Sequence, residues 1–508
     1  MLKVSKNSVK LISCLSIILL VFIFAGCSSA KDSGVMAPEI DSGVMAPEMG
    51  YGVYGDNNEY LELEEKPFSK TSENNKVNLS LDSSTAAYSN LRKLINNGYN
   101  ISKDAVNIEQ MLNYFNYSYV NETEEQLTSF LEIADCPWNE NNKLLSIAVK
   151  AKDFKMENQI QNNFVFLLDV SGSMYSPDKL PLMVEAFKIL IDNLGDNDRV
   201  SIVTYAGDNQ VLLDGGYGHE KPKISAIISD LEAGGSTAGA AGIKTAYRLA
   251  EKHFIQGGNN RVFLATDGDF NVGINRPNEL EEFISEKRKS GVYLSLFGFG
   301  YGNLNADTMD TLAQAGNGNY YYIDSILEAQ KVFISELGGT LQTVAKDAKV
   351  QVEFNEQIVD EYRVIGYENK YLTNEEFENN QTDAGEIGAG HTTVCLIELK
   401  LHEAYDAQVM PIVTSTIRYK DVQDNGIDKE IVNSCSMFTL NPSTDFMFQA
   451  SVAEFGLLLR KSEYANASME SILHGLLFLN DEQVQDPYKL EFLSLVKKYQ
   501  ERISKNQQ

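Results

Sequence analysis

The chain has 508 residues, 43% of them hydrophobic, and carries 71 acidic against 43 basic residues for a net charge of −28. That length and apolar content supply several packed domains, and the acidic excess excludes nucleic acid and anionic lipid surfaces as electrostatic partners. Five cysteines (Cys14, Cys27, Cys136, Cys395 and Cys435) are too scattered for a disulfide framework or a thiolate zinc site.

Residues 1–26 read as a lipoprotein signal peptide. Lys3, Lys6 and Lys10 form a basic start, and Leu11 to Phe24 an apolar stretch short for a membrane span. Phe24-Ala25-Gly26-Cys27 resembles a bacterial lipobox, with Phe24 where leucine is usual. Cys27 is then the lipidation site, and an uncleaved N-terminal anchor is the competing reading. Either way the chain is expected outside the cytoplasm, held at a bacterial cell membrane or envelope by its N-terminus. Cleavage removes three lysines and no acid, so the mature chain is more acidic still.

Residues 27–75 have no core-forming period. Asp32 to Glu39 recurs at once as Asp41 to Glu48, and the stretch reads as a disordered tether. Residues 76–155 form a small, mostly helical N-terminal unit. One helix is expected from a cap at Ser83 or Ser84 to Gly98, and another follows Ser102 with Ile108, Met111 and Leu112 at helical spacing. Cys136-Pro137-Trp138-Asn139 and a strand over Leu144–Val149 close the unit.

Residues 160–342 alternate strand and helix. The expected strands are Phe164–Asp169, Val200–Tyr205, Val262–Asp267, Val292–Gly298 and Asn319–Ile323, the rhythm of a doubly wound, Rossmann-like parallel sheet. The first strand ends in Asp169-Val170-Ser171-Gly172-Ser173, where Gly172 is expected to supply a tight turn. One carboxylate and two hydroxyls at a strand's C-terminal end suit a hard divalent cation. Residues 346–506 switch to period two and then to helix, a β-sandwich with a helical tail. The strand over 144–152 is expected to complete that sandwich, which makes the α/β domain an insertion. Cys395 and Cys435 lie in these strand-like runs, either paired or as buried thiols.

Asp169-x-Ser171-x-Ser173, Gly234-Gly235-Ser236-Thr237 and Thr266-Asp267-Gly268-Asp269 together resemble the metal-ion-dependent adhesion site of a von Willebrand factor type A (VWA) domain. Ala105 to Glu109, Cys136 to Asn139, Tyr362 to Asn369 and Asp383 to Thr392 are similar to segments of the bacterial YfbK-type VWA lipoproteins. The resemblance implies that Ser171 and Ser173 bind the metal directly. Asp169 and Asp267 bind through one oxygen or one water, and Thr237 enters or leaves with conformation. It further implies Mg²⁺, with Mn²⁺ or Ca²⁺ as alternatives, and a protein ligand whose Glu or Asp fills the open position. Met174, Tyr175, Asp208, Asp269 and Asn271 are candidate rim contacts.

Enzyme readings fail on particular residues. A haloacid-dehalogenase phosphatase needs an acid at Ser171, and Gly242-Ile243-Lys244-Thr245 lacks the glycine of a P-loop. The function that the resemblance implies is adhesive binding by a membrane-anchored lipoprotein rather than catalysis. An envelope assembly or scaffold factor is the main alternative, and an unrecognised hydrolase the other.

Overall fold

Two segments far apart in the chain build one sandwich, and the α/β domain lies between them. The computed structural model describes residues 58–506, apart from 82–83, 154–159, 207, 236–238, 269–276, 303, 337–342, 405–409, 423, 425 and 482–484. The N-terminal segment supplies β1 (Ser69–Lys70), β2 (Lys76–Ser80), helix α1 (Ala86–Asn97), helix α2 (Ile108–Asn113), β3 (Leu127–Asp135) and β4 (Lys143–Ala151).

The α/β domain then runs β5 (Asn162–Asp169), α3 (Leu180–Asp192), β6 (Arg199–Ala206), β7 (Asp208–Tyr217), α4 (Lys221–Ser229) and α5 (Gly239–Lys252). It continues with β8 (Asn259–Thr266), α6 (Pro277–Arg288), β9 (Val292–Phe299), α7 (Ala306–Ala315), β10 (Tyr320–Ile323) and α8 (Ile326–Gln330). The second segment adds β11 (Thr343–Phe354), β12 (Val359–Ile365), β13 (Tyr371–Leu372), β14 (Gly385–Gly388), β15 (Thr392–Leu401), β16 (Val413–Asp421) and β17 (Ile427–Cys435). The helices Thr444–Arg460, Met469–Gly475 and Pro487–Asn506 follow.

The central sheet has the order β10-β9-β8-β5-β6-β7. Five strands are parallel, and β7 closes the edge antiparallel to β6. That edge strand was not among the expected ones, and the polar and glycine residues Asp208-Asn209-Gln210 and Asp214-Gly215-Gly216 give it no apolar run. On β5 the alternate residues serve opposite faces. Phe164, Phe166 and Leu168 pack with Phe187 of α3, and Val165 and Leu167 pack with Tyr247 of α5. A strand buried on both faces reads as a continuous apolar run for this reason.

The sandwich sheets are β1-β12-β15-β4-β3 and β13-β2-β11-β16-β17, with β14 beside β11. Both mix strands from before and after the α/β domain, so residues 76–155 and 346–506 do not form separate layers. On β4, Leu145, Ile147 and Val149 face the sandwich core, while Leu144 and Ala148 face the helices. Cys395 of β15 faces the same core as Ile147. Cys136, Cys395 and Cys435 are all free thiols, so the candidate Cys395–Cys435 pair is not formed.

The Cys136-Pro137-Trp138-Asn139 segment wraps the buried carboxylate of Glu398. Trp138 Nε1 donates to it at 3.0 Å and Arg363 Nη2 at 3.1 Å, with Asn139 and Asn142 also donating. Helix α1 is docked through buried Arg92. Its guanidinium donates to Asp324 (2.9 Å from Nε), Glu328 (2.7 Å), Glu491 (3.0 Å) and the Tyr114 hydroxyl (3.0 Å). One side chain thus joins α1 and α2 to the end of the α/β domain and to the last helix. Thr85 takes the N-cap position of α1 in place of Ser84, while Ser83 lies outside the described residues. Gly98 ends the helix in the left-handed region at φ 72°.

The expected tether is shorter than residues 27–75. Glu59 pairs with Leu304 and Ala306 through backbone bonds of 2.9 and 3.1 Å. Leu63 is buried, and Ser69–Lys70 pair with β12. Backbone pairing and one apolar anchor order this stretch, which composition alone presents as polar coil. The remainder of the tether, the signal segment and Cys27 lie outside the described residues. Among the described residues no helix is long and apolar enough to cross a membrane.

Glu454 sits inside the helix Thr444–Arg460 and accepts from Ser468 N (3.1 Å) and Ser471 Oγ (2.9 Å), tying that helix to the next. Burial lifts its pKa to about 7, against the two hydrogen bonds. The folded state therefore holds this proton more tightly than the unfolded state. Stability should be greatest below about pH 4.5 for this group and fall as pH rises to about 7, by up to about 3 kcal/mol. Urea denaturation of Glu454→Gln at pH 5 and pH 8 should show this part of the slope removed.

Candidate metal centre

The strand order reverses at β5, whose neighbours β6 and β8 lie on either side, and ligands bind in α/β sheets at such a point beyond the strand C-termini. β5 ends at Asp169, and β8 ends at Thr266, followed by Asp267. The register pairs Leu168 with Ala265, which brings the two ends level. Asp169, Ser171 and Asp267 are buried, at 0, 1 and 1% exposure, while Ser173 is exposed.

Asp169 is held on both oxygens. The Ser171 amide donates to Oδ1 at 2.8 Å, and the Thr266 hydroxyl to Oδ2 at 3.1 Å. Burial pushes this carboxyl above its ordinary value despite those bonds, and the nearby Asp267 charge pushes the same way. Ser171 Oγ and Ser173 Oγ lie 3.0 Å apart.

That spacing tests whether the residues fit a cation. Ligands about 2.1 Å from Mg²⁺ on adjacent octahedral corners are about 3 Å apart, so the two hydroxyls match one edge of an octahedron. Among the described residues no group of three or more His, Cys, Asp and Glu side chains is placed to hold a metal. The donors described at this point are two carboxylates and two hydroxyls.

The turn after β5 is covered by the segment preceding α5. Gly234 N donates to Val170 O at 2.8 Å, and Gly172 N to Gly235 O at 3.2 Å. Gly235 is the residue that must be glycine. Its φ is 80°, and a Cβ would lie 2.9 Å from the Ala206 carbonyl. Gly172, expected to permit the turn, is not left-handed, and a Cβ there would make an ordinary 3.4 Å contact. Thr237 lies two residues beyond Gly235, outside the described residues.

The rim candidates separate. Tyr175 is 82% exposed. Met174 is fully buried, because the short 3₁₀ turn Gly172–Tyr175 directs it into the core with Leu180 and Met183. Its place on the rim is thereby corrected. Asp208 opens β7 at the end of β6, and Asp269 and Asn271 lie outside the described residues.

Sequence reasoning missed Lys179. Its ammonium donates to Asp267 Oδ2 at 2.7 Å, and the side chain is almost wholly buried. Its stem crosses Gly300, where a Cβ would lie 2.3 Å from Lys179 Cγ. Lys179 occupies the N-cap of α3, an end at which the helix dipole disfavours a cation. That mismatch was the available signal that the lysine answers to an acid elsewhere. Among the described residues, two buried carboxylates, Asp169 and Asp267, share the site with one lysine.

Residues 163–334 match the family model described as von Willebrand factor type A domain. Residues 339–502 match Uncharacterized protein YfbK, C-terminal, and residues 55–146 match a model described as von Willebrand factor. The chain is 41% identical over 463 residues to the uncharacterized protein YfbK of Escherichia coli K12, covering 86% of this chain and 80% of that one. The chain belongs to the YfbK family.

The chain also resembles more distant proteins. Inter-alpha-trypsin inhibitor heavy chain H3 of Bos taurus is 25% identical over 224 residues, which are 42% of this chain and 24% of that protein. A solved von Willebrand factor type A structure from Catenulispora acidiphila aligns over 66% of this chain and 81% of its own, at 16% identity and a TM-score of 0.40. A VWA domain points to protein interaction or adhesion, and such domains commonly bind a divalent metal.

Proposed function

We propose that this chain is a lipid-anchored, extracytoplasmic protein of the bacterial envelope. Its VWA domain binds a protein ligand through a divalent cation, and it has no catalytic role. The observation that carries this reading is the convergence of Asp169, Ser171, Ser173 and Asp267 at the switch point, with hydroxyls at octahedral spacing.

Ser171 and Ser173 would hold the cation through neutral oxygens, and Asp169 and Asp267 would supply the charge. Thr237 would join them, as the resemblance to the adhesion-site motif implies. Mg²⁺ suits a site of few protein ligands; Mn²⁺ fits the same oxygens, and Ca²⁺ prefers more of them. A bound cation supplies a Lewis-acidic position open to an Asp or Glu oxygen of the ligand. Exposed Tyr175 would touch that ligand, and Asp208, Asp269 and Asn271 are the other candidate rim contacts. Cys27 carries the lipid.

Capture of envelope proteins on the full chain, in Mg²⁺ and in EDTA, tests the reading. A partner retained only in Mg²⁺ supports it, and partners indifferent to EDTA overturn the metal bridge. An assembly role is distinguished by a partner resident in the same envelope.

A further inference from the structure

The lysine of the metal centre is gripped from two sides by the segment that precedes the VWA domain. Lys179 ends the turn Ser176–Lys179, where its amide donates to Ser176 O at 3.0 Å. The residue before it, Asp178, accepts from Lys93 Nζ of α1 at 2.7 Å and from Ser176 Oγ at 2.6 Å. Lys93 is buried, and its ammonium also lies 5.6 Å from the centre of the Tyr322 ring on β10. A buried ammonium is costly to leave without its carboxylate, so this pair fixes the turn to α1.

The second grip is on the loop after β9. The Lys179 stem lies against Gly300, whose carbonyl accepts from the Tyr322 hydroxyl at 2.5 Å. Tyr301 stacks on Tyr99, just past the end of α1, with ring centres 4.1 Å apart. The amides of Gly302 and Leu304 donate to Asn58 Oδ1 at 3.3 and 3.2 Å, next to the backbone bonds of Glu59 with Leu304 and Ala306. Asn58, Glu59, Lys93 and Tyr99 thus hold the turn that carries Lys179 and the loop that its stem crosses. None of the four is a candidate metal ligand. A lysine stem is flexible, and fixing its ammonium costs rotamer freedom. Confining both the backbone and the stem of Lys179 favours the seated position on Asp267, and a seated ammonium lowers the negative charge that a cation meets there.

We propose that the N-terminal segment sets the cation affinity of the metal centre by seating Lys179 on Asp267, with Lys93 and Tyr99 as positioning residues. Loosening the grip frees the ammonium and strengthens cation binding. By reciprocity, a bound cation loosens the grip. The affinity half of this inference rests on the metal reading; the seating of Lys179 does not.

Two measurements on the full chain test it. Lys179 acetylation by acetic anhydride is followed by peptide mass spectrometry without metal, and Mg²⁺ affinity by titration calorimetry. In Lys93→Met, Lys179 should acetylate several-fold faster and Mg²⁺ should bind about fivefold tighter. Lys93→Arg, which can still reach Asp178, should restore both towards wild type. Tyr99→Ala should act as Lys93→Met does while leaving the Lys93–Asp178 pair in place, and it decides alone should Lys93→Met fail to fold. In a Lys179→Met background, Lys93→Met should bring no further gain in affinity, whereas general loosening of the fold would change affinity with or without Lys179. Unchanged Lys179 acetylation in the folded variants would overturn the seating. Unchanged or weaker Mg²⁺ binding, or the same change in the Lys179→Met background, would overturn the affinity setting. Faster acetylation in a chain that binds no Mg²⁺ would overturn the metal reading, and the affinity half with it, while upholding the seating.

Discussion

Mg²⁺ added to the metal-free chain should raise its unfolding free energy by about 2.7 kcal/mol at a hundredfold excess over Kd, and Asp169→Ala should abolish that increment. The variant also leaves the Ser171 amide and Thr266 hydroxyl without their acceptor, a baseline cost of about 1–3 kcal/mol. The reading is therefore the Mg²⁺-dependent difference in Tm, not the Tm itself. Ser173→Ala supplies the control, since its side chain is exposed and its loss should spare the fold while weakening the response. Lys179→Met should act in the opposite direction. Removing a positive charge beside Asp267 leaves a more negative site, worth tenfold or more in Mg²⁺ affinity at an effective dielectric constant of about 20. An equal Mg²⁺ response in wild type and Asp169→Ala would show that the cation binds elsewhere.

Arg92→Met should destabilise the chain by about 3–5 kcal/mol, the cost of stranding buried charge when one partner of an ion pair is removed. The side chains of Asp324 and Glu328 around it are 6 and 2% exposed, and both point at the same guanidinium. Methionine fills much of the volume and offers neither carboxylate a donor. Arg92→Lys keeps the charge but loses the fork, so it should fall between the two in urea denaturation. A loss below about 1 kcal/mol for Arg92→Met would mean that the carboxylates find other donors and that α1 is held mainly by apolar packing.

The sequence exposed those features that depend on local pattern. Phe164–Leu168 had to be a buried strand because both of its faces are apolar, and Asp169 had to mark its end. The alternation in Leu144–Val149 foretold its two differently packed faces. Pairings between distant residues leave a fainter mark. Lys179 shows only a charge at odds with its helix end until β8 brings Asp267 beside it. β7 escaped notice because an edge strand tolerates the polar and glycine residues that otherwise signal a loop. Met174 was misplaced because a single turn of 3₁₀ helix decides which side of the backbone faces the core.

The interleaved sandwich also bears on the order in which the chain acquires structure. β4 pairs with β15, and the residues Ala148 and Val394 that meet there are separated by the entire VWA domain. When the VWA domain has just been synthesised, β3 and β4 have only each other, and Leu145, Ile147 and Val149 have no opposing sheet. The VWA domain, by contrast, already holds all the strands of its own sheet. It can close early and shorten the span that the sandwich must bridge, turning a long loop closure into the docking of neighbouring ends. In this chain the middle is positioned to fold before the beginning.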